Sequence, residues 1–317
     1  MTEPPPFFIV ASARSGTTML RIILNRHSCI AVPPESRFIT ELWDGSDEVD
    51  SDSFLRKLAA HQRFTAWELS IDSVRKELGD RSQVSYHDAI SAAYCAYARS
   101  KGKELWGDKT PRYVEHIPFL ANLFPQSRFV HLVRDGRDVA LSYADVSFGP
   151  KTVSTSAHLW ARRVSAGIQE GRALGPERYT EVRYEQLVED PEPQLRDLCR
   201  FLGVEFEPVM LDGAAEDEDS ILARAAAYNR HLTDKPKSGV REWRRTMPER
   251  HVEMFEAVAG NVLSELGYPR HYPHPGMVAR TEAYLGGRGI PVGRFTAKAR
   301  RVVAKVAGKQ RSQPPSP

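Results

Sequence analysis

"FFIVASARSGTTMLRIILNRH", residues 7–27, sets the reading of the whole chain. Phe7 to Ala11 is a short, continuous apolar run, the pattern of a strand buried on both faces of a parallel sheet. The run breaks into Ser12-Ala13-Arg14-Ser15-Gly16-Thr17-Thr18, and then Met19, Ile22 and Ile23 recur at helical spacing, so a helix is expected over 15–27. A strand, a small-residue turn and a helix receive an anion well, because unpaired backbone N–H groups and the helix dipole add at the helix N-terminus. Gly16 lets the backbone approach closely, Thr17 and Thr18 add hydroxyl donors, and Arg14 supplies charge. The lysine of a nucleotide triphosphatase loop is missing before Thr17-Thr18, and no apolar strand ends in an obvious magnesium-binding aspartate. Taken alone, the turn does not separate a phosphate site from a plain strand-to-helix connection.

"RFVHLVRDGRDVALSYADV" (128–146) repeats the plan. Phe129 to Val133 reads as a second strand, Asp135-Gly136 as a turn, and Arg137 onward as a helix. Arg134 closes the strand and Ser142 follows two turns into the helix, so both can serve one point above the carboxyl ends of the strands, where open α/β sheets bind ligands. Two separate phosphate sites imply a nucleotide phosphorylated at both ends of its ribose. A third strand is expected over 179–184, a helix from 191 to near Gly203, and another from Pro248 to Leu266. Residues 40–100 read as helical, with an acidic patch from Asp44 to Asp52. The whole pattern predicts an α/β, P-loop-like fold whose central, mostly parallel sheet is flanked by helices on both faces.

The totals narrow the class of protein. With 317 residues the chain can bury a sizeable core, and a formal charge of +3 argues against a general nucleic-acid binder. The cysteines Cys29, Cys95 and Cys199 lie far apart with no paired spacing, which fits a reducing compartment and gives no metal signature. No basic leader precedes the first apolar segment, and no apolar run approaches the ~20 residues that cross a bilayer. The chain therefore reads as cytoplasmic.

Together these motifs resemble the sulfotransferases that use 3′-phosphoadenosine 5′-phosphosulfate (PAPS), in the bacterial branch that resembles the protein-tyrosine sulfotransferases. "SARSGTT" is similar to their 5′-phosphosulfate loop, and "VHLVRDGRDVALSY" to their 3′-phosphate motif, which implies that Arg134 and Ser142 hold that phosphate. "EVRYEQLVEDP" is similar to their third strand, which implies that Tyr184 lies near the adenine. In this branch "PPESRF" implies Glu35 as the base, with partial burial expected to raise its pKa. "GDKTPRY" implies Lys109 beside the transferred group, with Asp108 able to hold it, and Lys109 and Arg14 as the charges that offset the leaving oxygen. No metal is implied. "KSGVREWRR" resembles the closing loop more loosely, with Lys237, Ser238, Arg241 and Trp243 as contacts for the nucleotide; Trp243 reads equally as an anchor for the last helix. The implied reaction moves a sulfuryl group from PAPS to an acceptor hydroxyl, an amine being the second choice. A magnesium-dependent P-loop phosphotransferase and a non-catalytic nucleotide-binding module stand as alternatives.

The resemblance places a sulfotransferase domain over 1–275. Residues 276–317 read as a basic amphipathic tail ending in the disordered-looking "QRSQPPSP". Such a tail can meet an anionic membrane, an acidic partner or the body of the enzyme. Acceptor identity and oligomeric state are not encoded legibly.

Overall fold

A computed structural model describes residues 4–212 and 243–288. The opening apolar run is the strand β1 (Phe7–Val10), every residue of which is buried. After the turn, α1 (Thr17–Asn25) places Leu20, Ile23 and Leu24 against the sheet. Then come β2 (Ile30–Ala31), the short α2 (Phe38–Glu41), β3 (Glu48–Asp50), α3 (Ser51–Ala60), α4 (Gln62–Thr65), α5 (Ile71–Leu78) and β4 (Gln83–Ser85). The long α6 (Tyr86–Ser100) leads into β5 (Leu105–Lys109), a 3-10 turn at Pro111–Glu115, α7 (Ile117–Leu123) and β6 (Arg128–Val133). The chain continues through α8 (Gly136–Ala144), α9 (Val153–Arg172), β7 (Tyr179–Arg183), α10 (Tyr184–Glu189), α11 (Pro191–Leu202) and a 3-10 turn at Pro208–Leu211. Beyond residue 242 stand α12 (Trp243–Thr246), α13 (Glu249–Glu265) and α14 (Met277–Gly287).

The main sheet has the order β2-β5-β1-β6-β7, and all of its strand pairs are parallel. Its central strand alternates between two cores, as a strand must when successive side chains face opposite sides. Phe8 and Val10 enter one core with Trp106, Phe129 and the α6 residue Tyr94. Phe7, Ile9 and Ala11 enter the other with residues of α1 and α11. Helices thus cover both faces, as the sequence pattern implies. Pro191 starts α11 at a position where a missing N–H costs nothing, and Gly203 ends it in the left-handed region.

Two features depart from the expected elements. β5 does not stand out in the sequence, because Gly107, Asp108 and Lys109 interrupt its apolar character; burial of all five residues makes it a strand. Within the region expected to be helical, β3 and β4 form a separate antiparallel pair.

The chain divides into two compact units. One holds the residues up to Arg134 and those from Arg163 to the end of the first described stretch; the other holds Asp135–Arg162 and the described residues from Trp243 onward. The five-stranded sheet lies entirely in the first. In the second, Trp160 is fully buried, and its ring and that of Phe255 crowd Gly136 so closely that a Cβ there would overlap both. Of the stretch read as a tail, residues 277–287 form α14; those from 289 on lie outside the described residues.

Candidate active site

The turn after β1 is built around two left-handed residues, Arg14 (φ 75°) and Gly16 (φ 92°). Gly16 is needed twice over, since its φ favours glycine and a Cβ would collide with the Tyr184 ring. Ser15 Oγ donates to the Ser12 carbonyl (2.6 Å), and α1 begins without a side-chain cap, so its first-turn amides are open to an anion. At the end of β6, the Arg134 guanidinium lies 4.4 Å from the centre of the Tyr184 ring and donates to the Arg14 carbonyl (3.4 Å). Arg14, Gly16, Arg134 and Tyr184 therefore form one cluster at the carboxyl ends of β1 and β6.

A second cluster forms at the end of β5. Lys109 is buried, and its Nζ donates to Glu35 Oε1 at 2.9 Å. Glu35 sits in the extended segment that Pro33 and Pro34 impose, and neighbours fix that segment on both sides. Before it, the Asn25 side chain exchanges two hydrogen bonds with the Val32 backbone, and Arg21 donates to the Val32 carbonyl. Trp67 Nε1 donates to the Pro34 carbonyl (2.8 Å). After it, the Ser36 amide donates to Thr110 Oγ1 (3.2 Å), and Ser36 Oγ lies 3.0 Å from the Tyr113 hydroxyl. The residues next to Glu35 and Lys109 thus clasp each other and hold the carboxylate opposite the ammonium. Ser36, Thr110 and Tyr113 all lie inside the quoted motifs but carry no signal of this role in the sequence.

Electrostatics corrects two expectations. Burial pushes the Glu35 carboxyl up, but the Lys109 ammonium, aided by Arg63 and Arg37, draws it below the ordinary glutamate value. The expected rise does not occur, because the partner lies within hydrogen-bond reach. Burial lowers Lys109, the Glu35 carboxylate opposes that, and Arg21 adds to the lowering. Asp108 does not hold Lys109. Neighbours on a strand face opposite sides, and Asp108 Oδ2 instead accepts from Tyr94 of α6 at 2.7 Å. Burial raises the Asp108 pKa to about 6.

The two clusters converge through the sheet. β5 and β6 flank β1, with Ile9 beside Lys109 and Val10 beside His131 in register. The Ala11 amide donates to the Pro111 carbonyl (3.1 Å), tying the start of the turn to the segment that follows Lys109. Thr17 is buried and Thr18 half-buried at the start of α1. Ser142 is buried in α8 and belongs to the second unit. So does Trp243, whose Nε1 donates to Asp135 (3.0 Å) and whose ring lies 3.8 Å from the Arg137 guanidinium carbon. That is the packing of an anchor. Lys237, Ser238 and Arg241 lie outside the described residues.

A parallel sheet with an uncapped helix N-terminus, two arginines and a lysine–glutamate pair at its carboxyl edge defines an α/β fold of the P-loop-like, anion-binding class. The chain belongs to the Sulfotransferase family, whose model matches residues 5–208. It is 30% identical over 196 residues to an omega-hydroxy-beta-dihydromenaquinone-9 sulfotransferase, Stf3, of Mycobacterium bovis, covering 56% of this chain and 44% of that one. It is 27% identical over 219 residues to protein-tyrosine sulfotransferase 2 of Gallus gallus, covering 66% of this chain and 54% of that one. The chain thus spans about half the length of these two relatives. Among solved structures, the sulfotransferase domain from the curacin biosynthetic pathway shares the fold, with a TM-score of 0.60 and 22% identity over 84% of this chain and 99% of that one.

Proposed function

We propose that this chain transfers the sulfuryl group of PAPS to an acceptor hydroxyl and releases adenosine 3′,5′-bisphosphate. The observation that carries the proposal is the Glu35–Lys109 pair at 2.9 Å, beside the open N-terminus of α1. PAPS supplies the sulfuryl group and its phosphate leaving group; the chain supplies charge, orientation and a proton acceptor. Glu35 accepts the hydroxyl proton as the acceptor oxygen bonds to sulfur, and its lowered pKa keeps it ionised for that task at neutral pH. Lys109 and Arg14 offset the charge left on the bridging oxygen as the sulfur–oxygen bond breaks. Ser15, Gly16, Thr17 and Thr18 receive the 5′ end, Arg134 the 3′-phosphate and Tyr184 the adenine. Ser142, Lys237, Ser238 and Arg241 are assigned to the nucleotide on motif resemblance alone, whereas the packing of Trp243 supports its reading as an anchor. The names of the two relatives, one an omega-hydroxy-menaquinone and one a protein-tyrosine sulfotransferase, support an oxygen acceptor.

Glu35→Gln tests the assignment. Nucleotide affinity is expected to persist while kcat falls by roughly 100-fold or more, the usual loss when a general base is removed. An unchanged kcat removes Glu35 from the mechanism. Chelators are expected to leave turnover intact and ATP is not expected to replace PAPS; the opposite outcome on both counts would identify a magnesium-dependent phosphotransferase.

A further inference from the structure

A buried polar cluster stands behind the Glu35–Lys109 pair. Asp108, Tyr94, Ser36, Thr110 and Tyr113 are all buried, and they gather from β5 and the turn after it, α6, and the segment after Pro34. Asp108 Oδ2 accepts from the Tyr94 hydroxyl at 2.7 Å, whereas Oδ1 is buried with no hydrogen-bond partner among the described residues. Ser36 Oγ lies 3.0 Å from the Tyr113 hydroxyl and 3.3 Å from Thr110 Oγ1, which also accepts from the Ser36 amide at 3.2 Å. Ser36 follows Glu35 directly, and Asp108 and Thr110 bracket Lys109. The cluster therefore grips both members of the pair by their neighbours in the chain.

A carboxylate among aromatic rings and hydroxyls is costly to bury, and an uncharged residue would pack there more easily. Its chemistry is specific. Ionised, it only accepts, so the hydroxyls around it turn their protons toward it and keep their lone pairs for other donors, such as the Ser36 amide on Thr110. Protonated, it becomes a donor and that polarity reverses. We propose that Asp108 is a positioning residue: as a carboxylate it keeps the Ser36–Thr110 clasp closed and so holds Glu35 in place against Lys109. The proposal rests on the reading of Glu35 and Lys109 as the reacting pair. The groups facing Asp108 are Tyr94, Ser36, Thr110 and Tyr113, with Lys109 on its own strand. Burial raises the carboxyl to about 6, while the Tyr94, Ser36 and Thr110 hydroxyls and the Lys109 ammonium draw it down. Above that pH the clasp is held. Below it Asp108 takes up a proton, and the Lys109 ammonium, which burial disfavours and Glu35 supports, loses a further supporting anion. Glu35 itself titrates below the ordinary 4.5, so the two acid limbs are separable.

Asp108→Asn keeps the shape and can still accept from Tyr94, but it does not ionise. In the wild type, kcat for PAPS turnover should fall as pH drops through about 6. In Asp108→Asn that limb should move below 4.5, the range left to Glu35. Its plateau kcat should fall about 10- to 100-fold through misplacement of the pair, with the Kd of adenosine 3′,5′-bisphosphate unchanged. Tyr94→Phe removes a lowering influence on Asp108, so its limb should lie above that of the wild type. Thermal melts at each pH establish that the variants are folded; if Asp108→Asn is not, Tyr94→Phe decides. Carbon NMR of the Glu35 carboxyl reads the same coupling without turnover, as a second inflection near pH 6 that Asp108→Asn abolishes. A limb that stays in place in the folded variants, or a Glu35 signal without the second inflection, overturns the proposal. A chain that shows the inflection yet turns over no PAPS supports the role of Asp108 and overturns the sulfuryl-transfer reading instead.

Discussion

Glu35 carries two opposing influences, and the nearer one wins. Burial favours the protonated acid, yet the ammonium 2.9 Å away holds the carboxylate in its charged form. The sign fixes a test. Replacing Lys109 by Met removes the strongest lowering influence and leaves burial in place, so the Glu35 pKa should rise. Carbon NMR titration of the Glu35 carboxyl in wild type and Lys109→Met reads that rise directly; an unmoved or lower pKa refutes the pairing. Both residues were legible as types within motifs. Their mutual hydrogen bond was not, because 74 positions of chain separate them.

At the scale of elements, the site rests on close approaches that a one-dimensional pattern does not record. The Gly16 backbone lies against the Tyr184 ring, so the first turn and the start of α10 are built as one piece. Gly16→Ala combines a positive φ with a steric overlap. It should lower stability by about 1–3 kcal/mol and weaken binding of adenosine 3′,5′-bisphosphate, by thermal melts and calorimetry. The strand β6 carries another buried device: His131 is fully buried, with Nδ1 2.7 Å from the Tyr179 hydroxyl, and burial, with a smaller contribution from Arg172, pushes its pKa down to about 3. A depressed folded pKa means stability that is complete above the unfolded value of 6.5 and is lost as pH falls from there toward 3. The expected loss is about 1.4 kcal/mol per pH unit in that window. Asp108, raised to about 6, works in the opposite direction between its unfolded value and pH 6. His131→Asn should therefore flatten the acid side of the stability curve, measured by urea unfolding at several pH values. An acid side as steep as that of the wild type would show that His131 is not its source.

At the scale of the whole molecule, each unit has its own means of cohesion. The first stacks aromatics across its sheet, with Phe8 5.3 Å from Phe129 and Tyr94 4.4 Å from Trp106 by ring centres. The second is organised around one guanidinium. Arg137, fully buried, bonds Asp135 through Nε and Nη2, Glu256 through Nη1 and the Pro269 carbonyl, and lies against Trp243. Arg137→Met would strand two buried carboxylates and should cost about 3–5 kcal/mol, seen as a large drop in thermal midpoint. A small change would mean that the carboxylates find other partners or take up protons.

The order of residues along the chain was enough for the class of fold, because that depends on local periods: apolar runs for β1 and β6, helical spacing in α1, and a strand–turn–helix break at 12–18. It also carried the resemblance that the family match bears out. What it could not carry were relations between distant segments. β5 is a strand because its neighbours bury it, Asp108 turns to Tyr94 because strand neighbours face apart, and Glu35 is acidified because Lys109 arrives from across the sheet. Periodicity is a property of neighbours in sequence; burial and Coulomb interaction are properties of neighbours in space, and they exist only once the chain has folded.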